Sequence, residues 1–404
     1  MKKIFNLLLG VVTSIGGFVE AGSISTAAQG GAEFGFALLW AIAVATIILA
    51  LLAEMVGRAA TVGKRSMAAA VRERFGFHYQ MAPLGAELII DVLLLAAEIG
   101  GVAVAVKLLT AVGFQWWILP VGLLVWLVIW FGNFTVIEDG MGLLGMVTVT
   151  FVIAAWQLNP DHKAVVQGFI PSVPDHDLTR YAFLTVSIVG ATVSPYLLNF
   201  YSSGAIEEKW TEPDLWINRT TAYLGMGFGS IVSMGVLVTA ALVLGPLQLR
   251  VDSYEQAALM FVPVFGHWAV TLFACALGVG CFGAAIEITL NAGYVLAQSF
   301  GWAWGVDKER REAARFCAAF TIVLLLSVAI GLLGFDPLQM TLISVALTVV
   351  IMPLIVLPFL VLMNDEQYVK GHKAGPLANG FLAVLTILGA VMALVVIPLE
   401  IFGG

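Results

Sequence analysis

Gly17-Phe18-Val19-Glu20-Ala21-Gly22-Ser23-Ile24-Ser25 sets a carboxylate, two glycines and two serines inside an apolar run that extends from Leu7 to Gln29. A chain crossing lipid must satisfy its own backbone, and an ionised side chain at membrane depth is expensive. The stretch therefore lines a polar site, if the surrounding chain lies in a membrane.

Composition says that it does. Of 404 residues, 60% are hydrophobic and 11% charged, with a mean hydropathy of +0.99. A soluble domain would carry about 25% charge. Lys2 and Lys3 precede the first apolar run, but no Ala-x-Ala site closes it before Glu20, so it is read as a retained span and not a cleaved leader. A span needs about 20 apolar residues. Such runs fall near 5–31, 34–56, 82–110, 117–132, 141–158, 181–206, 220–246, 264–300, 316–334, 338–363 and 377–402. With the N-terminus in the cytoplasm, only Lys107, Lys163, Arg180 and Arg250 of the 19 basic residues fall outside. That bias predicts eleven spans in a cytoplasmic membrane, with the C-terminus outside. No connection is long enough for a second domain.

The ionisable groups inside the runs are Glu20, Glu54, Glu87, Asp91, Glu98 and Glu287. Glu54 and Glu87 lie near expected cytoplasmic ends, where arginines such as Arg58 are available and structural pairing or snorkelling is the plainer reading. Asp91 stands one turn from Glu87, on a face that fits a vestibule. Glu98, among small residues, is either a helix contact or a lining group. Glu287 has Thr289 and Asn291 nearby and is a second lining candidate.

Glu20 stands apart because its neighbours weaken a helix. A break there exposes backbone groups that only a cavity or packed protein can satisfy. Five spans later, Gly190-Ala191-Thr192-Val193-Ser194-Pro195-Tyr196-Leu197-Leu198-Asn199 predicts a second break, since proline donates no hydrogen bond and disfavours helical geometry at Ser194. Paired discontinuous helices meeting at midplane are the mark of inverted-repeat transporters. The expected donors are all oxygens: the Glu20 carboxylate, the Ser23 and Ser194 hydroxyls, and the carbonyls of Ala21 and Ala191. Such a set suits hard divalent cations.

At these breaks the sequence resembles the Nramp (natural resistance-associated macrophage protein) family of divalent metal-ion transporters. The family's Asp-Pro-Gly-Asn motif aligns with Glu20-Ala21-Gly22-Ser23, followed by Gln29-Gly30-Gly31-Ala32-Glu33-Phe34-Gly35. Its Gly-Ala-Thr-Val-Met-Pro-His motif aligns with Gly190-Ala191-Thr192-Val193-Ser194-Pro195-Tyr196. The likeness continues in Ala97-Glu98-Ile99-Gly100 and in Tyr254-Glu255-Gln256-Ala257.

The resemblance implies an all-α membrane protein of the LeuT type: repeat one at about 5–158, repeat two at about 181–363 and an extra helix at about 377–402. It also implies alternating access around a midplane cation. Where the family has a methionine thioether and a histidine, this chain has Ser194 and Tyr196. The aspartate that the family places before its third-helix glutamate is Leu95 here. Losing the soft ligand should lower selectivity for manganese or iron over magnesium and calcium. The pattern resembles the Nramp-related magnesium branch that works without evident proton coupling.

The function expected is alternating-access transport of magnesium or manganese. Glu20, Ser23, Ala21, Ala191 and Ser194 would serve as ligands, with Glu98, Asp91, Glu287 and Tyr196 along the pathway. A proton-coupled manganese/iron symporter and an organic cation or amine carrier are the alternatives. No nucleophile–base pair suggests an enzyme. No cofactor and no nucleic acid are expected, and the protein should be a monomer in the lipid bilayer. Cys275, Cys281 and Cys317 are read as inert packing residues. The histidines all fall in loops or at span ends.

Overall fold

The structure is a computed structural model that describes residues 20–174 and 176–402. The apolar run before Glu20, including Gly16 and Gly17, lies outside the described residues. No strand occurs among those described.

Among the described residues nine helices are long and apolar enough to cross a bilayer, and Gln115–Phe131 is a shorter apolar helix. These fall on the expected segments, while of the expected first span at 5–31 only the part from Glu20 lies among the described residues, as the helix Ala21–Phe34. The second span, Leu39–Gly63, runs later than its expected 34–56. Gly35 turns the chain at φ 60°, so the apolar residues around it belong to a turn. At the other end Arg58 stays helical because Glu54, one turn earlier, binds it at 3.0 Å. A paired arginine does not end a helix, so the expected loop at 57–81 is largely helical, with a short helix at Met67–Phe75.

The third span, Phe77–Thr110, packs along the eighth, Tyr254–Phe300. The first helix lies against the seventh span, Glu212–Leu247. The first half of the sixth span, Leu178–Thr192, lies against the tenth, Pro337–Leu362. Side chains such as Leu123, Leu325 and Leu394 stay exposed on peripheral spans. Lipid is their solvent, so association of these helices depends on close fit more than on hydrophobic burial. Gly190 shows how close: a Cβ there would lie 1.8 Å from the Val345 carbonyl oxygen.

Two polar clusters close opposite ends of the bundle. At one end Arg180 binds Gln29 at 2.8 Å and Glu33 at 3.0 Å on the first helix, and Glu400 at 2.9 Å on the last helix, Pro376–Phe402. Gln29 also donates to the Val251 carbonyl at 2.6 Å. At the other, Glu54 holds Arg58 and lies 3.6 Å from Arg219, while Arg58 also donates to the His372 carbonyl.

Removing one partner of a buried ion pair strands the other, at about 3–5 kcal/mol. Arg180→Gln is expected to lower stability by about 3 kcal/mol. Gly190→Ala should do so by at least about 1–3 kcal/mol through overpacking. Thermal unfolding of the purified protein measures both, and a wild-type melting temperature in either variant would contradict the packing described.

Candidate functional site

The first helix begins where the sequence weakens it. Glu20 is its N-cap, extended at φ −105° and ψ 178°, and Ala21 is already the first helical residue. The sixth span breaks as expected. Its first half ends at Thr192, Val193 and Ser194 leave helical geometry, and a new helix runs Pro195–Glu207. Pro195 offers no N–H to the Ala191 carbonyl. The Ser194 hydroxyl donates to the Gly190 carbonyl at 2.9 Å, which leaves its oxygen lone pairs as acceptors.

The two breaks touch. A Cβ added at Gly22 would lie 3.0 Å from Glu20 Oε1 and 3.1 Å from the Ala191 Cβ. Glu20 thus folds back over Gly22, against the residue whose carbonyl the proline frees. Only glycine leaves that space open.

Glu20 is fully buried, as are Glu98, Tyr196 and Ser194. Tyr196 donates its hydroxyl to Glu20 Oε2 at 2.5 Å. Ala21 donates its backbone N–H to Glu98 Oε2 at 3.2 Å. That amide is one of the orphan donors at a helix N-terminus, where a carboxylate is favoured. The other oxygens, Glu20 Oε1 and Glu98 Oε1, have no hydrogen-bond partner among the described residues. Glu98 therefore belongs to the centre of the site and not to its margin.

No ion pair reaches Glu20, Glu98, Glu87, Asp91 or Glu287 among the described residues. When ionised, two adjacent carboxyl groups with no basic partner carry two negative charges, which one divalent cation would balance. No three His, Cys, Asp or Glu side chains gather as a ready metal cluster among the described residues. A cation here would need backbone and hydroxyl oxygens as well.

Other expected residues are placed as follows. Ser23 is buried in the first turn of the helix. The Ala21 carbonyl lies inside that helix, 3.4 Å from the Tyr254 hydroxyl, so the unwound point is one residue earlier than expected. Glu287 is partly buried and within electrostatic range of Glu20.

Glu87 was expected to pair with an arginine. Instead it takes Asn199 Nδ2 at 2.9 Å and Asn291 Nδ2 at 3.0 Å. Asn291 also bonds Asp91 at 3.0 Å. Cys281, read as inert, is buried close to Glu98 and against Gly101. A thiol beside small residues carries no sequence signal of that contact. For Asn199 the signal was present, one turn after Tyr196 on the same face.

These features define a class: a membrane protein, all-helical among the described residues, in which a helix start at Glu20 and a broken sixth span meet at a buried acidic site with no ion pair. A profile described as "Natural resistance-associated macrophage protein-like" matches residues 10–398, and the chain belongs to that family, Nramp. The divalent metal cation transporter MntH of Deinococcus radiodurans is 27% identical over 98% of this chain and 89% of its own length. The fold is shared with a manganese transporter of Eremococcus coleocola, at a TM-score of 0.82 and 18% identity, covering 98% of this chain and 86% of that one. It is shared more distantly with a nucleobase-cation-symport-1 family transporter, at a TM-score of 0.62 and 15% identity, covering 96% and 90%.

Tyr196→Phe removes the donor to a buried carboxylate. The variant is expected to lose about 2 kcal/mol of stability. It should couple non-additively with Glu20→Gln in a double-mutant cycle of thermal or denaturant unfolding. Strict additivity would show that the two side chains do not interact.

Proposed function

We propose that this Nramp member is a divalent metal cation transporter selective for hard ions, magnesium and manganese, and that it works by alternating access without strong proton coupling. The observation that carries the reading is the pair of bare carboxylate oxygens, Glu20 Oε1 and Glu98 Oε1, buried beside the broken sixth span. Together the two groups balance one divalent charge. Ser194 and the Ala191 carbonyl supply neutral oxygens opposite, and Ser23 supplies one from the first turn.

Every donor in this set is an oxygen, which suits ions that bind carboxylates, carbonyls and water. A monovalent organic cation would leave one of the two carboxylates unbalanced in low dielectric. The family relatives named above are described as divalent metal cation and manganese transporters, which agrees with the class of ion. Tyr196 holds the Glu20 carboxyl in place through its hydroxyl.

In this reading repeat one, about 5–158, rocks against repeat two, about 181–363, with the helix at 377–402 as an addition. The Arg180 cluster closes the external end and the Glu54–Arg58 cluster the cytoplasmic end. The protein works as a monomer in the cytoplasmic membrane, N-terminus inside and C-terminus outside. Flux follows the electrochemical gradient of the ion.

Uptake of magnesium and manganese into proteoliposomes tests this. Wild type should show saturable flux of both ions, equal at two external pH values with matched gradients. Glu20→Gln should abolish it. Ser194→Met should shift preference toward manganese by about tenfold, a difference of about 1.4 kcal/mol. Saturable flux of neither ion would overturn the assignment, and proton movement accompanying each ion would overturn the uncoupled mechanism.

A further inference from the structure

Three helices carry a continuous polar stripe away from the site. On the third span Glu98, Asp91, Glu87 and Gln80 recur at intervals of seven, four and seven residues, which keeps them on one helical face. Tyr196 and Asn199 repeat this on the second half of the sixth span, and Glu287 and Asn291 on the eighth. The stripes converge a second time at Glu87, Asp91, Asn199 and Asn291.

That second cluster is as dry as the first. Glu87 is 2% exposed, Asp91 1%, Asn199 2% and Asn291 0%. Asn291 Nδ2 bridges Glu87 Oε1 and Asp91 Oδ2, each at 3.0 Å, while Asn199 Nδ2 spans both oxygens of Glu87 at 2.9 and 3.0 Å. Both amides are thus held inside the cluster by their nitrogens. Their oxygens, on the same carbons, have no partner among the described residues. Asn199 and Glu87 also line a small cavity of 10 Å³, room for about one water.

Two carboxylates sharing one donor lie within about 6 Å of each other. Ionised and unpaired, they would repel by about 3 kcal/mol at an effective dielectric of 20. Neutral amides cannot cancel that charge, and no lysine or arginine pairs with either group among the described residues. A single proton shared by the pair would leave one negative charge and only one donor for the two amide oxygens. A divalent cation satisfies both deficits, since it balances two negative charges and takes amide and carboxylate oxygens as ligands.

We propose that Glu87, Asp91, Asn199 and Asn291 form a second divalent-cation site, a stepping point between the broken helices and the Gln80 end of the bundle. The seven residues from Glu98 to Asp91 set the two sites about 10 Å apart along the axis. Each site is neutral when filled, so both are occupied at once without strong repulsion. An ion released from Glu20 meets the net negative charge of the second site, with Glu287 between them. The proposal rests on the transport reading above for the ion it names.

Equilibrium dialysis of manganese against the purified full-length protein counts the sites. Wild type should bind two equivalents per chain. Glu87→Gln/Asp91→Asn keeps acceptors for both asparagines and should bind one, with affinity at the remaining site changed less than twofold. Glu20→Gln should also bind one, at the second site.

One equivalent in wild type that Glu20→Gln alone removes would overturn the second site and leave the transport reading standing. Two equivalents in Glu87→Gln/Asp91→Asn would do the same. No manganese bound by wild type would instead sink the transport reading itself. If the double variant fails to fold, as judged by size exclusion, the wild-type count and the Glu20→Gln arm still decide.

Discussion

The N–H of Ala21 points at a carboxylate 77 residues further along the chain. That single hydrogen bond fixes the start of the first helix against the middle of the third span. A helix beginning at midmembrane has unsatisfied amides, and lipid offers them nothing. Glu98 supplies the acceptor, so the broken helix is tolerable only where the third span stands. The same bond leaves Glu98 with one oxygen unused, and Tyr196 leaves Glu20 in the same condition. The devices that stabilise the breaks therefore also produce the electrostatic deficit at their centre.

Close approach is the second constraint. Gly22 leaves room for the Glu20 carboxylate and Ala191, and Gly190 lets the tenth span press its backbone against the sixth. The ends of the bundle are held differently, by ion pairs. Arg180 ties the first helix, the sixth span and the last helix together, whereas Glu54 and Arg58 tie the second span to the segment at His372. The bundle is thus held by apolar interlocking in the middle and by buried polar latches at its ends.

Local composition made both breaks legible. Glu20 among Gly22 and Ser23, and Pro195 after Ser194, are statements about backbone geometry that need no tertiary information. The spans from the third onward were legible too, whereas in the second a paired arginine and a turn glycine shifted the boundaries. The weight of Glu98 was not legible. A carboxylate in a small-residue stretch serves equally well as a helix contact or a ligand, and only the position of Ala21 decides. Glu87 was misjudged for a related reason. Proximity to a basic loop suggested an arginine partner, while the fold directs it inward to two asparagines. Cys281 is found through the same packing and through nothing in its neighbourhood along the chain.

In the proposed function a single cation sits between Glu20 and the broken sixth span. Crystals of wild-type protein soaked in manganese, with diffraction recorded at the manganese absorption edge, test it most directly. The prediction is an anomalous peak within about 2.0–2.6 Å of Glu20 Oε1, in reach of the Glu98 carboxylate and the Ala191 carbonyl. Manganese density in the bundle with no peak beside Glu20 would contradict it.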